Sequence, residues 1–473
     1  MLLVTTLFLA CPPGGDSTGT EDVRIDHAKG SIESISPRTC VNEDGVVYTT
    51  WQDDRDGQDQ VWFNKSADAG VTFLAGDELL SNGEGDARNP TVACSGDYVY
   101  VAWEDTRDGE LEYENIYLQW SDDGGRSWQD DDIALDNDPD GDYMSKAPAI
   151  AAAGDNVWVT WSDQINGAYD IFVQRSQNNG ESWLDAPVRV DTDEAGAAYS
   201  SSPVIVGDGD DHVVVAWEER RDGNSDIYVN FSDDNGESFS DADRRLDEGD
   251  EVGATNSFEP QIAMAGENVY VVWHDERFGE NKDVFLNLSR SYGDGWKDEV
   301  IRMETDAEGI ADSQNPSIAA SGEGVWVAFQ DNRATGYDIF LQYSADAGKA
   351  WLEEEYRMDT DGNGQSQSFE PQLAVSGDTW LVAWQDRRND SGGVGFNDLF
   401  YNYTVDAGAT WQAGDLRINS NEVGTAYAVE HSVAVFEERI ITVWADGRSG
   451  TSDIWAASRP LGVNSVYVAP DEE

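Results

Sequence analysis

Short apolar runs alternate with polar turns along the whole chain, and they recur in a fixed order. An apolar strand comes first, often opened by proline: Pro90-T-V-A, Pro148-A-I-A, Pro203-V-I-V, Pro260-Q-I-A, Pro316-S-I-A, Pro371-Q-L-A. A Gly-containing turn leads to an alternating strand such as Val99-Y-V-A-W or Val269-Y-V-V-W. A third strand follows, as in Ile116-Y-L-Q, Ile171-F-V-Q, Ile227-Y-V-N and Ile339-F-L-Q. A short fourth closes the unit, as in Val188-R-V-D, Ile301-R-M-E and Leu416-R-I-N. β-Branched and aromatic runs bounded by Gly, Asp and Asn turns predict strands, and no helical period competes with them.

The aromatic that marks the second strand falls at Trp51, Trp103, Trp161, Trp217, Trp273, Phe329, Trp384 and Trp444. A period of about 56 residues fixes the architecture before any single residue is interpreted. Four antiparallel strands per copy predict an all-β propeller of eight blades, or seven if one copy forms none. The last copy has strands near Ser432-V-A-V, Ile440-I-T-V-W and Asp453-I-W-A but lacks a fourth. Val23-R-I-D has the form of that missing strand. The N-terminal strand is therefore expected to join the last blade, closing the ring and leaving no open sheet edge. The division expected is a leader and tether over 1–21, one propeller over 22–460 and a tail over 461–473.

Between the third and fourth strands lies a second recurring phrase. Its copies are Ser66-A-D-A-G-V-T-F, Ser121-D-D-G-G-R-S-W, Ser176-Q-N-N-G-E-S-W, Ser232-D-D-N-G-E-S-F, Ser289-R-S-Y-G-D-G-W, Ser344-A-D-A-G-K-A-W and Thr404-V-D-A-G-A-T-W. A carboxylate at the third position can accept the N–H groups of its own turn, and Gly supplies a positive φ. These copies resemble the Asp box of the sialidase (BNR-repeat) propellers, with Asn178 and Ser291 departing from the pattern. The resemblance runs over roughly residues 22–460. It implies a hairpin turn at each box and a substrate face on the opposite side, formed by the loops between second and third strands. Members of that family carry a Phe/Tyr-Arg-Ile-Pro motif, a trio of arginines for a substrate carboxylate, and a Tyr–Glu pair. No F-R-I-P string occurs here, and no such Tyr–Glu pair can be assigned. Fold resemblance alone therefore does not bring the activity.

The second strand runs on into W-x-D-x-R. This places Arg55, Arg107, Arg221, Arg277, Arg333, Arg388 and Arg448 in the loops of that face, with His274 following Trp273. One reading is a ring of ligand-binding groups; the other is a network of ion pairs, since each arginine comes with its own acid. In the third copy Ile165 stands where arginine is expected. Two of these loops are longer than the rest, at Glu110–Asn115 and Arg388–Asp398. In the first, Glu112, Tyr113 and Glu114 set two carboxylates beside a phenol, which are candidates for glycoside chemistry or a solvated acidic loop.

Acidic turns follow the fourth strands. Asp136, Asp138, Asp140 and Asp142 in one, and Asp359, Asp361 and Asn363 in another, match the first half of a calcium loop, though its twelfth-position Glu is absent. Structural Ca²⁺ is the only cofactor expected. The net charge of −65 opposes contact with nucleic acid or an anionic membrane surface. High salt or bound divalent cations would screen it. The 18 Trp nevertheless argue for a packed core.

Residues 1–11 form an apolar run ending in Ala10-Cys11, followed by a Gly/Pro/Ser/Thr tether. This resembles a bacterial lipoprotein signal with Cys11 as lipid acceptor; a cleaved secretory signal is the alternative, and the run is too short to span a bilayer. Cys40 and Cys94 occupy equivalent places in neighbouring copies. Free thiols are expected there ahead of a disulfide. The sum is an exported, monomeric, surface-anchored or secreted propeller that binds an extracellular glycan or protein without catalysis. A sialidase-like glycoside hydrolase with a rearranged site is the alternative, and a Ca²⁺-dependent structural envelope protein is a third reading.

Overall fold

The computed structural model describes residues 21–27, 33–108, 113–136, 138, 141–249, 252–362, 364, 366–390, 392–393 and 395–462. They form eight four-stranded antiparallel sheets and no helix. The eighth phrase makes a blade, so the seven-bladed alternative is set aside. Blade 1 consists of Ser34–Val41, Val47–Asp53, Gln60–Ser66 and Glu78–Leu79, from the innermost strand outward. Blade 8 takes Ala428–Phe436, Arg439–Asp446 and Asp453–Pro460 from the end of the chain and Val23–Arg24 from its start. Val23 pairs with Ala456 and Arg24 with Trp455, which closes the ring.

The second strands are buried on both faces because each blade is covered by its two neighbours. All eight marker aromatics, from Trp51 to Trp444, are fully buried. Each hydrophobic cluster joins one blade to the next: Tyr48, Val61 and Phe63 of blade 1 pack with Val99, Val101 and Trp103 of blade 2. Burying such a ring contributes about 1.5–3 kcal/mol by area. Repetition of this packing around the ring, not one central core, holds the fold.

The turn between third and outermost strand is closed by its own side chains. In blade 2, Asp123 accepts the N–H groups of Arg126 and Ser127, both at 2.9 Å, and the Ser121 hydroxyl accepts Gly125 N–H at 2.8 Å. Desolvation of Asp123 acts the other way, but the bonds from Ser127, Ser121 and Arg126 together outweigh it and hold its carboxyl well below the ordinary range. Gly125 has φ +66° and lies against the Phe63 ring, so a side chain there would be strained and would collide. Trp128, which ends the turn, packs edge-on to Phe63 at 4.9 Å and so ties blade 2 to blade 1.

Cys40 and Cys94 form a disulfide, which corrects the expectation of free thiols. Innermost strands of adjacent blades run side by side around the channel. Equivalent positions therefore approach closely, here to 6.1 Å between Cα atoms, within disulfide reach.

Candidate ligand-binding channel

The W-x-D-x-R arginines lie along the seams between blades. Arg107 bonds Asp105 at 2.5 Å and Asp132 at 2.7 Å, and its guanidinium lies 4.0 Å from the centre of the Tyr117 ring. Arg55 repeats this with Asp53, Asp77 and Trp62. Arg221 does so with Glu219, Asp243 and Tyr228. Arg333 uses Asp331, Glu355 and Phe340, and Arg388 uses Asp386, Asp415 and Phe400. Arg448 uses Asp446, Asp22 and Trp455. Arg277 bonds Asp275, stacks on Phe285 and donates to the Glu248 carbonyl of the preceding blade. The second acid of the six pairs immediately precedes the outermost strand. Burial alone would lower these arginines, yet their carboxylates outweigh it and raise Arg107 and Arg221. Gly83 of blade 1 leaves room for the Arg107 guanidinium, where a Cβ would collide. Each guanidinium is thus clamped between two acceptors and an aromatic face.

Different side chains converge on the central channel. The innermost strands all bulge at one residue with positive φ: Ser36, Asn89, Ala147, Ser202, Glu259, Asn315, Glu370 and Glu430. Proline follows in seven of the eight, and His431 in the last. The residue two positions after the bulge reaches the channel. Arg38, Thr91, Val204, Gln261, Gln372 and Ser432 consequently line two cavities of about 470 and 480 Å³ that share Arg38 and Gln261, so both belong to one channel. Glu259, Glu370 and Glu430 stand beside them.

The ring is held by a bond between neighbours. In four blades the residue after the marker aromatic accepts the N–H of the next blade's bulge: Gln52 from Asn89 at 3.3 Å, Glu104 from Ala147 at 2.7 Å, Glu218 from Glu259 at 2.9 Å and Gln330 from Glu370 at 2.9 Å. Blade 8 has Ala445 at that place, and Glu430 itself accepts Ser36 N–H at 2.6 Å instead.

Burial and mutual repulsion tune this site. Burial, then the charge of Glu430, raises Glu370. Burial also raises Glu259, Glu104 and Glu218. Burial lowers the Arg38 guanidinium against the pull of Glu430, although its side chain remains open to the channel water. His431 is pushed down to about 4 by burial, and His274 to about 3 by burial and then Lys282; both are neutral at pH 7. His274 lies behind the wall with Nδ1 3.5 Å from Glu259. The channel therefore offers one cation, several carboxylates and neutral hydrogen-bonding groups to a ligand.

Tyr113 and Glu114 are half-buried beside the third strand of blade 2, and the Glu114 carbonyl accepts Ser145 N–H at 2.6 Å. Glu112 lies outside the described residues, as do Asp140, Asn363 and Cys11. Asp142 is exposed, while Asp136 and Asp138 are buried. Burial, with the Asp163 charge, pushes Asp136 up to about 7. Asp359 and Asp361 meet Asp338 in a tight trio, and Asp170, Asp191 and Asp193 form another. Each trio already encloses a guanidinium, Arg357 in the first and Arg189 in the second.

Another cavity, about 400 Å³, lies where Tyr356 and Met358 of blade 6 meet Trp411 of blade 7. It is built from seam positions that every blade repeats, whereas the channel residues differ from copy to copy. The channel is therefore the better candidate. Arg38, Glu259, Glu370 and Glu430 were not singled out from the sequence. The signal was there: the positions on either side of each strand-opening proline vary between copies that otherwise agree.

No protein-family model matches the chain, and no curated protein matches it. Among solved structures, the chain is similar to the GH93 α-L-arabinofuranosidase of Fusarium graminearum in complex with arabinobiose. The identity is 11% over 94% of this chain and 98% of that one, with a TM-score of 0.42. It is similar to a Hadza microbial sialidase at 16% identity over 71% of each chain, TM-score 0.38. It is also similar to a polysaccharide lyase at 11% identity over 84% of this chain and 94% of that one, TM-score 0.49.

Proposed function

We propose that this protein is an exported propeller, anchored through Cys11 or secreted, that binds an extracellular glycan or protein segment in its central channel without turning it over. The observation behind this reading is the division of labour among polar groups. The seven repeated arginines are engaged with acids and rings of the scaffold, so they form no trio open to a substrate carboxylate. Arg38, Gln261, Gln372, Glu370 and Glu430 face the channel instead. Amides, a guanidinium and carboxylates are the groups that hydrogen-bond hydroxyls or a peptide's polar side chains. Each blade ends in an outermost strand only two residues long, a short edge that gives little template for self-association, in keeping with a monomer.

A glycan panel, scored in parallel for retention of the protein and for released sugar, tests this reading. Saturable retention with no product is expected. Released sugar would overturn it in favour of the second reading.

That second reading is a glycoside hydrolase, and Glu370 is the observation that favours it. Its carboxyl is raised by burial and by Glu430, which puts a group inclined to stay protonated near a second carboxylate. Such a pair can divide acid and base roles.

A further inference from the structure

One end of the channel carries cations and aromatic rings that the repeat does not prescribe. The residue just before each bulge lies where the W-x-D-x-R loops begin. It is Lys146 in blade 3, Phe258 in blade 5, Gln314 in blade 6 and Phe369 in blade 7. The loop after the second strand folds beside it. Arg220 N–H donates to the Tyr199 carbonyl at 3.1 Å, and Arg387 N–H to the Gln367 carbonyl at 3.0 Å. Arg220 and Arg387 therefore stand on the rim of the channel, next to the start of their own innermost strands.

These side chains form an arc over blades 3 to 7. Lys146 Nζ donates to the Tyr199 hydroxyl at 3.1 Å and lies 4.2 Å from the centre of the Tyr169 ring. Tyr169 meets Tyr199 edge-on at 5.1 Å, and Arg220 lies 5.6 Å from the Tyr199 ring. Further round, Lys282 lies 5.9 Å from the Phe258 ring and donates to Gln314 Oε1 at 3.0 Å. Gln314 Nε2 donates to the Tyr337 hydroxyl at 3.2 Å. Tyr337 packs against Phe369 at 6.1 Å, and Arg387 lies 4.7 Å from that same ring. Among the described residues, every cation–ring contact outside the seam arginines belongs to this arc.

The partners of these cations set them apart from the seam arginines. Among the described residues, Lys146, Arg220, Lys282 and Arg387 form no ion pair with a carboxylate; they meet hydroxyls, amides and rings. Arg220 and Arg387 are exposed, and Tyr199, Phe258, Tyr337 and Phe369 are only half-buried. Burial would lower Lys146, but its bonds to Tyr199 and Tyr169 raise it, so it stays charged at pH 7. A chain of net charge −65 has carboxylates to spare. Four cations left without one along a single rim mark a place for an outside anion.

We propose that this arc holds an acidic polysaccharide, a chain of carboxylated or sulfated sugars, across the channel mouth. The inference rests on the reading of the channel as a ligand site and narrows its ligand to an anionic glycan. Guanidinium and ammonium groups pair with carboxylate or sulfate. The half-buried rings between them offer flat apolar faces to the C–H side of a sugar. An arc that runs past five blades suits a polymer rather than a single sugar. A nucleic acid carries a much denser line of charge, so the acidic remainder of the surface repels it more strongly.

The test is binding of the full-length protein to polygalacturonate and to dextran sulfate, with dextran and single-stranded DNA alongside, at low and high salt. Wild type is expected to bind an acidic glycan, more weakly as salt rises, and to ignore dextran. Binding to polygalacturonate alone would assign carboxylate, and to dextran sulfate alone would assign sulfate. Arg220→Ser combined with Arg387→Ser should weaken binding about tenfold or more and flatten its salt dependence. Phe369→Ala should weaken it without changing the salt dependence. Arg126→Ser, which removes an exposed cation from an Asp-box turn, should leave it unchanged. No binding to either acidic glycan, equal binding of dextran, preference for DNA, or undiminished binding by the double variant would overturn the inference. Arg38→Ala separates it from the reading on which it rests. Loss with Arg38→Ala but not with the arc variants would keep the channel and overturn the arc. Weakened binding by the arc variants together with released sugar would support the arc and overturn the non-catalytic reading.

Discussion

Arg448 Nη1 lies 2.7 Å from Asp22 Oδ2, although 426 positions separate them in the chain. Five other blades take this acid from just before their own outermost strand. Blade 8 takes it from the start of the chain, because its outermost strand is Val23–Arg24. The contact therefore fastens the ring at the one seam that covalent continuity does not close.

Replacing Asp22 by Asn should leave the Arg448 guanidinium short of one partner. Arg448 keeps Asp446, while Arg459 also loses its bond to Asp22, so the cost expected is about 1–3 kcal/mol. Equilibrium urea denaturation would read it as a lower midpoint. Asp54→Asn, which alters an exposed acid of a blade 1 loop, should shift the midpoint far less.

Reduction of Cys40–Cys94 should destabilise the propeller without dismantling it. The bond spans 54 residues, and a disulfide of this kind contributes about 2–4 kcal/mol. Paired melts with and without reductant should differ, and a Cys40→Ser/Cys94→Ser variant should melt like reduced wild type and ignore reductant.

Acidification should expose the buried His431. Its pKa is depressed in the folded state, to about 4, and is about 6.5 in the unfolded chain. The unfolded chain therefore takes up the proton first. The stability tied to neutral His431 is complete above pH 6.5 and is lost progressively as pH falls toward 4. Carboxylates with raised values, such as Asp136, act in the opposite sense. The measurement is therefore a difference: wild type against His431→Gln, melted across this window. The variant should lose less Tm than wild type between pH 6.5 and 4.

Trp103 is fully buried between blades 1 and 2. Its truncation to Ala should cost about 3–5 kcal/mol, seen as a lower urea midpoint. Trp183, half-buried at the end of its turn, should cost less when truncated.

The blade repeat and its closure could be read from the chain because both rest on local patterns. Val23-R-I-D copies a strand form found elsewhere, and a copied strand has only one blade to complete. The role of the arginines was half legible. The acid two residues before Arg107 is visible in the motif, but Tyr117 and Asp132 reach it only when the third strand folds back. The channel was hidden for another reason. A propeller's axis is lined by one or two residues from each innermost strand, so Arg38 and Glu370 are distant in sequence and share no motif. The acidic loop at Asp136 matched a calcium half-loop, but so did Asp359. The fold shows what the motif does not: Arg357 sits among the acids of the Asp359 loop.

The central claim is that the channel, and not the ring of seam arginines, is where this protein meets its ligand. The direct test is the binding isotherm of a glycan or peptide ligand retained by wild type, repeated with Arg38→Ala and with Glu370→Gln, each first shown to melt like wild type. The account predicts that both substitutions weaken or abolish binding and that no product is released at any stage. Unchanged affinity in both variants, or turnover of the ligand, would contradict it.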